Sequence, residues 1–240
     1  MGLDIYVGSL TRYYLGDWET IIQQYGREMG IEVQIDRHMQ RKPSLLQRLI
    51  GFFRPSGPKA AAVAVEKWRQ QLEKQLGKAV EWNDDADADY FTDKPGWDCY
   101  GALLLWAAYD ELPHAKRAET AAEWDLDPAY EAVSMNERSR YRHLTAGCEL
   151  WLPVDFEQPI DAYPVAGDEV SIGSSIALQR ELQELNRRTW NADDAQLAQW
   201  REEGAESTAP LETAARFAFA ILQELTRQSV LRRLPMKLDY

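Results

Sequence analysis

Residues 97–111 read WDCYGALLLWAAYDE, and this stretch decides the fold of the 240-residue chain. The pattern predicts a helix that is apolar almost all round, and Leu112-Pro113 ends it. A helix without a polar face belongs in the middle of a domain. We therefore expect a single domain over residues 1–240, with this helix inside it.

The segments before this helix indicate a strand, a helix and a second strand. Residues 3–10 are short and β-rich, and Asp17 can cap a helix that runs to about Met29, where Gly30 closes it. Residues 31–36 then alternate between apolar and polar side chains, as a half-buried strand does. Strand, helix and strand in that order favour a βαβ start with two parallel strands.

The remainder of the chain predicts more helices and two short strands. The helices are expected at 59–76, just after Asp127-Pro128, and at 175–189, 192–203 and 210–231, and the strands at 144–154 and 165–172. The fold class is therefore α/β, with α+β as the alternative: a mainly helical domain with a small mixed sheet. Residues 37–80 form a possible helical insertion with a basic, amphipathic first half. The helices of 174–231 are expected to pack on the same core.

Charge and cysteine content limit the classes of function. The chain has 39 acidic residues against 27 Lys and Arg, a net charge of −12, which favours solubility and disfavours binding to nucleic acid. Cys99 and Cys148 stand far apart, as in proteins of a reducing compartment. With no signal peptide and no apolar run of about 20 residues, we expect a cytoplasmic protein without a membrane span.

An acidic run lies between residues 81 and 98, and it supplies the candidate partner-binding residues. These are the closely spaced carboxylates Asp84, Asp85, Asp87 and Asp89. Their spacing begins like a calcium loop, but Tyr90 occupies the position of the required glycine and the bidentate glutamate is missing. We therefore expect a solvated acidic loop and no metal.

Catalytic signatures are missing from the sequence. Gly173-Ser174 loosely resembles a nucleophile elbow, but all three histidines precede Ser174, whereas a hydrolase of that class needs its histidine after the nucleophile. Ser174 is better explained as a helix cap. No zinc-binding or phosphate-binding motif occurs, so no cofactor and no catalytic residue are assigned.

The segment 90–100 combines aromatic rings, acids and a helix start, which suits a small-ligand pocket or a binding hot spot. A core plug with a capping aspartate is the alternative. Asp4 joins this set because a carboxylate inside an apolar strand needs a reason to be there. The candidate ligand-binding residues are Asp4, Asp93, Trp97, Asp98 and Tyr100.

Two resemblances can be drawn. The opening MGLDIYVGSLTRYY, at 1–14, and the stretch YFTDKP to WDCYG, at 90–101, resemble a family of bacterial proteins of uncharacterised function. That resemblance implies a bacterial origin. The acidic, cofactor-free character of the chain also resembles, in type only, the immunity proteins that neutralise polymorphic toxins.

Three functions follow as expectations. The first is a non-enzymatic acidic interaction protein, an immunity-like inhibitor whose partner is a basic bacterial toxin. The second is a carboxylate-dependent enzyme that uses Asp4, Asp93 and Asp98. The third is a small-ligand or carbohydrate-binding module in which Trp97 and Tyr100 form a stacking platform. The sequence leaves the oligomeric state open.

Overall fold

The structure is a computed structural model, and it describes residues 2–33, 57–206 and 208–240. Nine helices lie in these ranges: α1 (Leu10–Leu15), α2 (Ile21–Glu28), α3 (Pro58–Leu76), α4 (Trp97–Glu111), α5 (Pro128–Ser134), α6 (Arg142–Thr145), α7 (Ser175–Arg188), α8 (Asp194–Glu203) and α9 (Leu211–Arg232). The six strands are β1 (Asp4–Val7), β2 (Phe91–Asp93), β3 (Cys148–Leu152), β4 (Ile160–Ala162), β5 (Val170–Ser174) and β6 (Met236–Asp239).

The strands form one mixed sheet in the order β2-β1-β6-β3-β5-β4. Only β3 and β5 run parallel, and the other neighbours are antiparallel. This architecture confirms the predicted α/β class, a mainly helical single domain with a small mixed sheet. The predicted helical last third corresponds to α7, α8 and α9.

Helix α4 lies in the core, as its apolar sequence predicts. Ten of its fifteen residues are buried, and it packs most extensively against α9. The apolar cluster around these two helices includes Ile5 and Trp151 of the sheet. A second cluster joins Leu150 and Leu152 to α1 and α3. Helices therefore cover the sheet on both faces.

The N-terminal region differs from its prediction in two respects. Helix α2 begins after Thr20 rather than Asp17, because Thr20 and Gln23 form a reciprocal capping box. Strand β1 has β2 and β6 as neighbours, both antiparallel, so the predicted parallel partner does not lie beside it. Residues 31–33 form no strand, and 34–36 lie outside the described residues.

Helix α3 closely matches its predicted range and ends at Gly77, whose φ of 65° is the left-handed conformation that glycine tolerates. It packs against α1. Most of the basic stretch 37–59, and with it the first half of the possible insertion, lies outside the described residues. The division into an insertion therefore stays a prediction. Within the described ranges, no helix is both long and apolar enough to cross a membrane.

Candidate functional site

The acidic run at 81–98 is largely tied to its neighbours. Asp84 accepts hydrogen bonds from the backbone N–H and the hydroxyl of Thr11, at 3.0 and 2.5 Å. Burial raises the pKa of this half-buried carboxyl. Asp89 forms an ion pair with Arg232 at 3.5 Å. Asp84 therefore holds the loop against α1, and its role in partner binding stays a prediction.

Asp85 and Asp87 are the two members of the predicted set that stay exposed without an ion pair among the described residues. Asp85 accepts a hydrogen bond from the backbone N–H of Asp87 at 2.9 Å, as in a local turn. Their role in partner binding stays a prediction. No group of potential metal ligands occurs in the part of the chain that the structure describes.

Two carboxylates of the predicted ligand-binding set, Asp4 and Asp93, form ion pairs within the protein. Asp4, on β1, forms an ion pair with Lys94 at 3.1 Å, which explains a carboxylate inside an apolar strand. Asp93 pairs with Arg201 at 2.7 Å. Asp98 lies in the first turn of α4, where a negative charge is favourable. Asp4 and Asp93 are therefore held by ion pairs within the protein, and a ligand-binding role for the three carboxylates stays a prediction.

The two aromatic rings of the predicted stacking platform do not line an open cleft. Tyr100 is buried, and its ring stands nearly perpendicular to that of Trp97, with the centroids 6.3 Å apart. Trp97 is half-buried and packs against Tyr240 at 5.0 Å. A sugar stacks on exposed ring faces, so this arrangement disagrees with a carbohydrate platform.

His143 and Ser174 are in contact in the structure, and their hydrogen bonds are structural. The Nδ1 atom of His143 accepts a hydrogen bond from the Ser174 backbone N–H at 3.0 Å. Burial lowers the pKa of His143 to about 4, so the ring is neutral near pH 7. The Ser174 hydroxyl accepts from the Ala177 N–H at 3.0 Å and caps α7, as predicted.

A second acidic stretch, which sequence reasoning missed, lies at residues 118–137. It has six carboxylates and no lysine or arginine. We call this segment the acidic face, and its carboxylates are Glu119, Glu123, Asp125, Asp127, Glu131 and Glu137. All but Asp127 are exposed, and those five form no ion pair with any described residue.

The core helix α4 holds the acidic face in place. The indole of Trp124 lies directly against the backbone of Gly101, where a side chain would collide with it. The Tyr109 hydroxyl donates to the Asp127 carboxylate at 2.6 Å and accepts from the Ala118 N–H at 3.0 Å. Asp127 also caps α5 by accepting from the Ala129 N–H at 2.8 Å. The exposed carboxylates therefore stand on a fixed frame.

Asp110, next to the acidic face, is a carboxylate with partners within the protein, and it serves as a comparison. It accepts from the Tyr141 hydroxyl at 2.6 Å and pairs with Arg188 and Arg140 at 2.7 and 3.1 Å. Burial alone would raise the pKa of Asp110, but the hydrogen bonds from Arg188 and Tyr141 outweigh it and the net shift is downward. In the described ranges, the five exposed carboxylates of the acidic face have no such ion pairs.

The chain has another exposed acidic group in and around α8, which serves as a comparison. It consists of Asp193, Asp194, Glu202, Glu203 and Glu206, none of them in an ion pair with a described residue. The arginine of α8, Arg201, is already paired with Asp93. Its own contacts to the core are different ones: the Cys99 thiol of α4 lies 4.0 Å from the Ala205 carbonyl oxygen, and Trp200 packs on Trp190.

Comparison with known families gives one finding. A family described as "Putative DNA-mimic protein" matches residues 101–237, more than half of the chain. Comparison with curated proteins and with solved structures gave no match. The matched region begins inside α4 and contains the whole acidic face, but it excludes the acidic run at 81–98.

The matched region holds most of the excess negative charge. It has 23 acidic residues and 14 Lys and Arg, so its net charge is 14 minus 23, or −9. Nine of its arginines form ion pairs with carboxylates of the protein: Arg140, Arg180, Arg187, Arg188, Arg201, Arg216, Arg227, Arg232 and Arg233. Most cations of the matched region are therefore paired within the protein, while the five exposed carboxylates of the acidic face pair with none of the residues that the structure describes.

The family match corrects two of the expectations from the sequence. The immunity-like inhibitor of a basic toxin is wrong, and neither the carboxylate-dependent enzyme nor the ligand-binding module finds support. The predicted partner, a basic toxin, is wrong for the same reason, since mimicry of DNA points to a protein that binds DNA. An acidic protein that acts through protein–protein interaction agrees with the match. The likeness to proteins that open MGLDIY stays a prediction.

Proposed function

The chain belongs to the DNA-mimic family, and we propose on that premise that it occupies the DNA-binding surface of a DNA-binding protein through its acidic face. The observation that carries the proposal is the set of five exposed carboxylates on a segment held against α4, none of which forms an ion pair with a described residue. We include the cytoplasm in the proposal, because the protein would have to meet its partner where DNA is bound.

The physical basis is substitution of carboxylates for phosphates. Duplex DNA presents one negative charge per about 1.7 Å of its axis, and proteins that bind it answer with lysine and arginine. A carboxylate already paired within its own protein has little charge left for a partner. Those of the acidic face keep theirs, and their fixed backbone lowers the entropy cost of presenting several at once. A surface of one sign also accelerates association with a basic partner.

The proposal is tested by displacement from DNA. Proteins from a lysate of the source organism are loaded on immobilised duplex DNA and washed, and the purified protein is then applied. We expect it to release a specific subset of the bound proteins, identified by mass spectrometry. Release of nothing, at concentrations up to those that elute with free duplex, would contradict the proposal.

A matched pair of variants assigns the activity to a surface. One neutralises the five exposed carboxylates of the acidic face (E119Q, E123Q, D125N, E131Q and E137Q). The other neutralises the five of the α8 group (D193N, D194N, E202Q, E203Q and E206Q); Asp193 caps α8, and asparagine keeps that cap. At about 0.5 kcal/mol per exposed pair, the first variant loses about 2.5 kcal/mol, or about 70-fold in affinity. Equal displacement by both variants would contradict the assignment to the acidic face.

A further inference from the structure

The outward side of α5 carries an apolar line in the middle of the acidic face. Pro128, Ala132 and Met135 are exposed and recur at the spacing of one helix face. Leu126 precedes them in the turn before the helix. Leu126 and Met135 are 71% and 79% exposed, more than any other large apolar side chain among the described residues.

The exposure of these side chains is not explained by a helix whose apolar side faces away from the core. Ala129 and Val133, on the opposite side of α5, are buried in the core cluster, and Tyr130 packs against Trp124 with ring centroids 5.2 Å apart. One side of α5 therefore packs on the core, and the opposite side still exposes apolar groups to solvent. Neighbouring apolar groups at a polar rim are the arrangement of protein interfaces.

The rim of the apolar line is acidic. Asp125 is next to Leu126 in the chain, Glu131 lies on the exposed side of α5, and Glu137 follows Met135 by two residues. An occupant must therefore bring apolar contact at its centre and positive charge around it. A DNA-reading surface has both, since its lysines and arginines meet phosphates while apolar groups meet thymine methyls in the groove.

We propose that Leu126 and Met135 are the apolar anchors of the complex, and that they contact the base-reading part of the DNA-binding protein while the carboxylates contact its phosphate-binding part. This inference rests on the proposed function. Leu126 ends the turn before α5 and Met135 directly follows its last residue, so the whole helix lies between the two anchors in the chain. The flexible thioether of Met135 suits an irregular partner surface.

The charged and the apolar contacts can be told apart by their effects on the association and dissociation rates. Rim charges mainly set the association rate and its dependence on salt, whereas central apolar contacts mainly set the dissociation rate. We expect the double variant L126A/M135A to dissociate about 10-fold faster, with its association rate and salt dependence unchanged. The five-carboxylate variant of the acidic face should associate more slowly and lose salt dependence.

The experiment uses the full-length protein on a biosensor and, as probe, a protein that it released from duplex DNA. The control is L231A, which removes an apolar side chain 65% exposed at the end of α9, away from the acidic face. Thermal melts check that all variants fold, as expected for exposed positions. Faster dissociation of L126A/M135A with L231A unchanged supports the inference.

Three other outcomes overturn it. If L126A/M135A dissociates like the wild type while the five-carboxylate variant still binds poorly, the anchors are wrong and the proposed function stands. If the wild type releases nothing from DNA, the proposed function fails and the inference fails with it. If sedimentation shows a dimer of the wild type that L126A/M135A abolishes, the occupant of this surface is a second copy of the chain.

Discussion

Neutralising the five exposed carboxylates of the acidic face is expected to stabilise the folded protein at low ionic strength. They have no cation among the described residues, so in the folded state they contribute repulsion without a compensating ion pair. Taking about 10 Å, the length of α5, as the separation of neighbours, each pair repels by about 0.4 kcal/mol in water. Four neighbouring pairs give about 1.5 kcal/mol, or about 3–6 °C in Tm for a chain of this size.

The measurement is thermal unfolding at two salt concentrations. At about 10 mM salt the screening length is about 30 Å and the full effect is expected, while at 1 M it is about 3 Å and the wild type and variant should melt together. Asp127 stays unchanged in the variant, because it caps α5 and accepts the Tyr109 hydroxyl. A change at this residue would mix two effects.

Asp110→Asn is the control, since it also removes one negative charge. It breaks the ion pairs with Arg140 and Arg188 and weakens the hydrogen bond from Tyr141, so it should lower stability by about 1–3 kcal/mol. A five-carboxylate variant that melts below the wild type at low salt would refute the reasoning. The acidic face would then stabilise the fold, and its charge would need no partner to explain it.

Two further predictions concern the frame and the core. Gly101→Ala should displace Trp124 and lower the free energy of unfolding by about 1–3 kcal/mol through overpacking. Because the displacement moves the turn that holds Asp125, the variant should also release less protein from DNA. Unchanged tryptophan fluorescence would contradict this prediction. His143 has a lowered pKa, so the unfolded state takes up its proton first and stability falls as pH drops from about 6.5 to 4. Relative to His143→Gln, the wild type should lose about 3 kcal/mol over that window in urea unfolding. Glu181 accepts hydrogen bonds from the backbone N–H groups of His143 and Leu144, and burial raises its pKa to about 8. It titrates in both proteins, so parallel curves would show that His143 does not contribute.

The helices could be predicted from the sequence because their signals are local. The apolar stretch of α4, the Ser174 cap of α7 and the Gly77 stop of α3 each lie within one turn of the feature they determine. The pairing of β1 could not be predicted, because its neighbours β2 and β6 come from positions about 90 and 230 residues away. A local strand–helix–strand pattern carries no information about such partners.

In the candidate site, too, local features could be predicted from the sequence and long-range contacts could not. The aspartates of the run at 81–98 are close together in the sequence, yet Asp84 accepts a hydrogen bond from Thr11 and Asp89 pairs with Arg232, both far along the chain. Which carboxylates stay unpaired depends on these long-range contacts. The acidic face was overlooked because apolar residues separate its acids. Its available signal was the lack of any lysine or arginine over residues 118–137.

If the protein mimics DNA, it and DNA compete for one surface of the same partner. The most direct test is an anisotropy titration in which a protein released from duplex DNA binds a fluorescent duplex at rising concentrations of this protein, with sedimentation of the mixture in parallel. We predict that the apparent Kd for the duplex rises in proportion to the concentration of this protein, with no species containing all three components. A stable ternary complex, or an apparent Kd that reaches a plateau, would show that the two do not compete for one surface.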